Sequence, residues 1–200
     1  MAAKFEVENL VLTTWLMVHR ADALLKICED KLFSEYKLNS ERYAVLVTIQ
    51  YLGGSAKPSE VARWLQRSPN SISMLADRMV RAGLIKRTRD RIDRRVVNLT
   101  ISDKGKDALK PATQAGWDFI QEILSPLSYE DRSTLINLLK MINYKTLEYL
   151  NPGADIERML KDEAKSHDNL MERLVEYLGP LFLEPNLRVV RRERAHGEDS

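Results

Sequence analysis

The stretch from Ser68 to Arg95, SPNSISMLADRMVRAGLIKRTRDRIDRR, places short hydrogen-bonding side chains ahead of a dense run of cations. Ser68, Asn70, Ser71 and Ser73 offer small donors and acceptors, Met74 an apolar tip, and Arg78 a planar fork. Such groups suit base edges in a DNA major groove: asparagine can pair with adenine, arginine can donate twice to guanine, and methionine can cover a thymine methyl. Further on, Lys86, Arg87, Arg89, Arg91, Arg94 and Arg95 stand against Asp90 and Asp93. Cations clustered this way meet phosphates and release counterions, which adds affinity without reading sequence. The plainer alternative is that surface arginines solvate a turn, with Arg78 paired to Asp77 or Asp93 and only bracing the domain.

The elements that must hold these groups are legible in the spacing. Ser68 can cap the first free amides of a helix, Pro69 suits its first turn, and Ile72, Leu75, Ala76, Met79 and Val80 recur on one inward face. Gly83 ends that helix. From Leu84 the period changes to alternation, and Val97, Leu99 and Ile101 return as a second strand, so the charged run is the tip of a hairpin, a wing beside the helix. Upstream, Lys57 and Pro58 lead into a short helix with Val61, Ala62 and Leu65 inward, leaving Ser59 and Arg63 for phosphates. A longer helix, capped by Asn39 or Ser40 and stopped by Gly53 and Gly54, precedes it.

On either side lie longer helical patterns. Apolar residues from Val7 to Leu32 recur at three and four without proline or glycine, predicting one helix from about Glu6 to Tyr36. Ser102 and Asp103 start another that runs to Leu124 and breaks at Ser125 and Pro126; Tyr129 to Leu150 resumes the pattern, and Asn151, Pro152 and Gly153 stop it. Ile156, Leu160, Leu170, Leu174 and Tyr177 then mark an additional amphipathic helix over 155–179, and composition marks 186–200 as a mobile tail. The expected fold class is mainly α with a small β wing: a winged helix-turn-helix DNA-binding domain flanked by N- and C-terminal helical regions.

Composition narrows the function classes. The net charge of +2 says little about an acidic partner, whereas the local clusters say more. A single cysteine, Cys28, excludes an intramolecular disulfide framework and fits a reducing cytoplasm. The first residues lack the apolar core of a signal peptide, and no apolar run approaches the roughly 20 residues that span a bilayer, so the chain reads as soluble, cytoplasmic and without a membrane partner. No glycine-rich phosphate loop, nucleophile elbow or carboxylate pair appears, so it does not read as an enzyme. His19, His167 and His196 are scattered, and neither a metal nor a cofactor is expected.

Four motifs in order, LNSERYAVLVTI (38–49), PSEVARWL (58–65), SISMLADRMVRAGLIKR (71–87) and DRRVVNLTISDKG (93–105), resemble the multiple-antibiotic-resistance regulator (MarR) family of winged helix-turn-helix transcription factors. The resemblance covers roughly Leu10 to Leu150. It implies a homodimer that binds double-stranded DNA at a pseudo-palindromic operator, usually as a repressor, and often releases it when a small molecule binds. It also implies that residues 1–37 and 103–150 dimerise around a DNA-binding domain at 38–102. The helix at 155–179 lies beyond the usual family length; it either laps over the dimer base, the plainer reading of an amphipathic face, or meets another protein. In the family pattern Arg95 enters a minor groove while Asp93 orients it, with Arg91 and Arg94 along phosphates. The competing function is a winged-helix protein-interaction module without specific DNA binding.

Sensor chemistry is less marked. Trp15, Tyr36, Tyr43, Tyr51 and Trp64 are aromatic candidates for an effector pocket between the dimer helices and the DNA-binding lobe, although aromatics at helical spacing are usually core. Peroxide-sensing relatives place their thiol nearer the position of Met17. Cys28 instead lies on the apolar stripe and reads as a small buried hydrophobe.

Overall fold

The computed structural model describes residues 2–89, 97–161 and 164, with residues 2–8 as backbone only. Helix α1 spans Ala2–Ser34, α2 Ser40–Tyr51, α3 Pro58–Trp64, α4 Pro69–Arg81, α5 Asp103–Leu124 and α6 Tyr129–Leu150; the strands are β1 (Ser55–Ala56), β2 (Ile85–Arg89) and β3 (Val97–Ile101). Residues 156–161 begin a further helical stretch, and the remainder of the 155–179 prediction, Ala164 apart, lies outside the described residues, as does the 186–200 tail. The chain divides into two units, Met1–Asp118 and Phe119–Ser200.

In the first unit local signals start and stop the helices. The Asn39 side chain accepts the Arg42 amide at 2.9 Å and so caps α2. Asp30, near the end of α1, accepts both the Ser40 amide at 2.7 Å and the Ser40 hydroxyl at 2.6 Å, and these bonds hold its carboxyl below the usual range. Leu46 and Ile49 of α2, Val61 of α3, Ile72 and Met79 of α4, Ile85 and Leu99 of the sheet, and Leu109 of α5 are sealed from solvent as one core. Thr48 is sealed there too, and its hydroxyl has no hydrogen-bond partner among the described residues.

The sheet has the order β1-β3-β2, all antiparallel. Strand β3 meets β2 from Ile85↔Ile101 to Arg89↔Val97, whereas β1 meets it only at Ser55↔Thr100 and Ala56↔Leu99. The sheet is therefore three strands wide at its base and two beyond Leu99. Strand β1 is an addition to the sequence reading, because two residues carry no periodicity.

Helix α5 is stitched to the chain that leaves α4. Lys104 Nζ donates to the Ala82 carbonyl at 2.7 Å, the Ser102 hydroxyl to that of Gly83 at 2.6 Å, and the Ser102 amide to that of Leu84 at 3.0 Å. The Ser102 hydroxyl in turn accepts the Gly105 amide at 3.1 Å. A Cβ on Gly105 would stand 2.1 Å from the Leu84 carbonyl oxygen, so this close approach requires glycine. Gly116, three turns on, lies beneath the stacked rings of Phe33 and Tyr43, whose centroids are 4.1 Å apart.

The second unit contains the end of α5 and all of α6. Ser128 and Asp131 form a reciprocal capping box at the start of α6, and Arg132 donates to the Leu124 carbonyl at 3.0 Å. Helix α6 buries none of its residues, and Leu135, Leu138, Leu139 and Ile142 are all exposed. The same holds for much of α1, where Leu10, Trp15, Leu24 and Ile27 are uncovered. Cys28 corrects the sequence expectation of a buried thiol: it is exposed, because nothing among the described residues covers that stripe of α1. Among the described residues no helix is long and apolar enough to cross a membrane.

Candidate nucleic-acid interface

Helices α3 and α4 form a helix-turn-helix whose turn is closed by the Arg67 amide donating to the Ala62 carbonyl at 2.9 Å. Gln66 takes a left-handed conformation there, φ +50°, which lets the chain turn within the four residues between Trp64 and Pro69. Arg67 pairs with Glu41 of α2 and ties the turn to the core. The Ser68 hydroxyl then accepts the Ser71 amide at 3.1 Å and donates to the Ser71 hydroxyl at 2.9 Å. Ser68 thus serves first as the cap of α4.

Helix α4 divides cleanly. Ile72, Leu75, Ala76 and Met79 are buried, while Asn70, Ser71, Met74, Asp77, Arg78 and Arg81 are exposed and Ser73 is half-buried. Met74 is 59% exposed, although an unbranched thioether ordinarily fills a core gap. Ser59 and Arg63 are exposed on α3. Arg78 forms no ion pair among the described residues; Asp77 is engaged elsewhere, by Arg87 Nη2 at 2.7 Å. The bracing role considered for Arg78 toward Asp77 therefore falls to Arg87.

On β2, Ile85 is buried and Lys86, Arg87, Thr88 and Arg89 are exposed. Across the outer face, Ser55, Thr100 and Thr88 hydroxyls line up over the three strands, with oxygen separations of 3.3 and 3.0 Å. Arg91, Asp93, Arg94 and Arg95 lie outside the described residues. The Asp77–Arg87 pair is the part of this surface that sequence reasoning missed. Strand alternation puts Ile85 and Arg87 on one face, so a buried Ile85 against α4 was the signal that Arg87 reaches the same helix.

The aromatic candidates occupy different surroundings within one subunit. Tyr36 lines a cavity of about 480 Å³ together with Glu35, Lys37, Arg42, Lys104 and Asp107; the other four are not in its wall. Trp15 is 62% exposed with its ring edge-on to His19 at 4.4 Å, and Tyr43 is stacked on Phe33. Tyr51 and Trp64 are half-buried, and burial, then Tyr43, pushes the Tyr51 phenol well above its ordinary value. Among the described residues no three His, Cys, Asp or Glu side chains gather as metal ligands would.

A sequence model described as the MarR family matches residues 38–97, from the start of the α2 lobe to the return strand of the wing. The chain is 30% identical over 122 residues to the HTH-type transcriptional regulator PecS of Dickeya dadantii, which covers 60% of this chain and 74% of that protein. Its fold is similar to the organohalide-sensing RdhR-CbdbA1625 transcriptional regulator in the 2,4-dichlorophenol-bound form, with a TM-score of 0.66, 22% identity, and 72% and 85% of the two chains covered. It is also similar to a mutant MarR from E. coli complexed with operator DNA, with a TM-score of 0.61, 21% identity, and 67% and 96% covered.

Proposed function

The chain belongs to the MarR family of transcriptional regulators, and from that premise we propose that it works as a homodimer binding double-stranded DNA at a pseudo-palindromic operator, as a repressor. The observation that carries this reading is α4: a helix with a packed inner face, a capped N-terminus and an outer face of Asn70, Ser71, Met74 and Arg78. In this reading Ser71, Met74 and Arg78 meet base edges with Asn70 and Ser73 flanking them. Ser59, Arg63 and Ser68 meet phosphates. Arg95, oriented by Asp93, enters the minor groove, with Arg91 and Arg94 on the backbone beside it.

Residues 38–102 form the DNA-binding domain, and residues 1–37 and 103–150 supply the second copy's docking surface, since α1 and α6 expose apolar side chains that water disfavours. A small-molecule effector releases the DNA; no enzymatic step is assigned, and the workplace is the cytoplasm, where the operator lies. Footprinting of the purified chain on DNA flanking its own gene tests the reading. Protection of an inverted repeat whose half-sites are centred one helical turn, roughly 34 Å, apart is expected. Absence of protection at moderate salt would instead favour a protein-docking winged helix.

A further inference from the structure

Beyond Leu99 the wing loses its third strand, because β1 pairs with β3 only at Leu99 and Thr100. From there outward, Thr88↔Asn98 and Arg89↔Val97 form a two-stranded ribbon. Two strands alone are marginally stable and twist more than a wider sheet, so a ribbon needs a fixed point if its tip is to be aimed. Arg87 stands opposite Leu99, at the step from three strands to two, and its guanidinium reaches Asp77 of α4 at 2.7 Å.

We propose that the Asp77–Arg87 pair is a positioning couple that sets the angle of the wing against the recognition helix α4, so that both can enter neighbouring grooves at once. The proposal rests on the DNA-binding reading above and adds two residues that make no base contact in it. Both side chains are half-exposed, 59% and 42%, so the pair adds little to folding. Its effect is on geometry, and it acts twice in a dimer. At up to about fivefold per half-site, the loss across a palindrome reaches about 25-fold.

A double-mutant cycle on the full-length chain decides it, with Asp77→Asn, Arg87→Gln and both together titrated against the footprinted operator over a range of salt. If the couple positions the wing, each single change weakens binding and the double change costs no more than the worse single. The slope of log affinity against log salt then stays as in the parent, because no phosphate contact is lost. Arg87→Lys keeps the charge without the planar fork and should also weaken binding. If Arg87 instead touches phosphate, Asp77→Asn binds as well as the parent or better, and Arg87→Gln lowers the slope by about one per contact removed; that result overturns the couple. Additive losses, or affinities unchanged throughout, overturn it as well. Thermal midpoints within about 3 °C of the parent separate misaiming from unfolding. A parent chain that protects no DNA defeats the DNA-binding reading and the couple together, whereas a clear parental footprint with any of the contrary patterns defeats the couple alone.

Discussion

Helices α4 and α6 both carry many apolar side chains, yet among the described residues only α4 has a face of them covered. Over 13 residues α4 buries Ile72, Leu75, Ala76 and Met79, whereas over 22 residues α6 buries none. Its Leu138 is 53% exposed and its Met141 67%. An apolar stripe left in water costs free energy on the order of 25 cal/mol per Å², and a helix with this many open leucines is stabilised by another surface. The contrast separates two tasks. In the dimer proposed above, a single subunit makes the surface that reads DNA, while the spacing between two such surfaces depends on helices that a second copy would cover.

The sharpest way to break the self-sufficient half is Gly105→Ala. The new Cβ would fall 2.1 Å from the Leu84 oxygen and 2.8 Å from Ile101 Cγ2, so the start of α5 must move away from the end of α4. A loss of about 3 kcal/mol or more in urea unfolding is expected, because the nearest obstacle is backbone and cannot rotate aside. The opposite half is probed by Leu139→Asp on α6. It leaves the lobe's core untouched and should weaken self-association at least about 100-fold, since the charge enters a twofold interface twice; sedimentation against concentration reads this directly. A variant that still sediments as a dimer would remove α6 from the interface.

Two smaller changes sharpen the same contrast. Asp30 accepts two bonds from Ser40, and its lowered pKa means that the ionised form is favoured in the fold. Its contribution is therefore present above the unfolded value of about 3.9 and is lost as pH falls through the lower folded value. Asp30→Asn should cost about 0.5–1 kcal/mol near neutral pH, and the gap to the parent should close below about pH 4. Thr48→Val replaces a sealed hydroxyl that has no partner among the described residues and should raise stability by about 1 kcal/mol or less, readable as a shift of a few degrees in thermal midpoint.

Much of the lobe was legible because its signals are local. Asn39 and Ser68 cap where short polar side chains before an apolar period should cap, and Gly83, with φ +74°, stops α4 as expected. What escaped depends on partners distant in the chain. Strand β1 is defined by Leu99 and Thr100, more than forty residues on, and has no pattern of its own. Asp77 and Arg87 were both visible, but pairing them required the register of β2 against α4. Cys28 does lie on an apolar stripe and yet is not buried, because a stripe shows that a face wants cover and not that its own chain provides it. Trp15 and Tyr36 share helical spacing, yet roughly 30 Å of helix rise, at about 1.5 Å per residue, separates them along α1 and its exit within one subunit.

The hydrogen on Gly105 bears on how such a chain can change over generations. Where backbone stands this close to backbone, the position is closed to every residue that carries a side chain, and drift has no neighbouring rotamer to exploit. The outward face of α6 is free to wander, provided that whatever meets it wanders too.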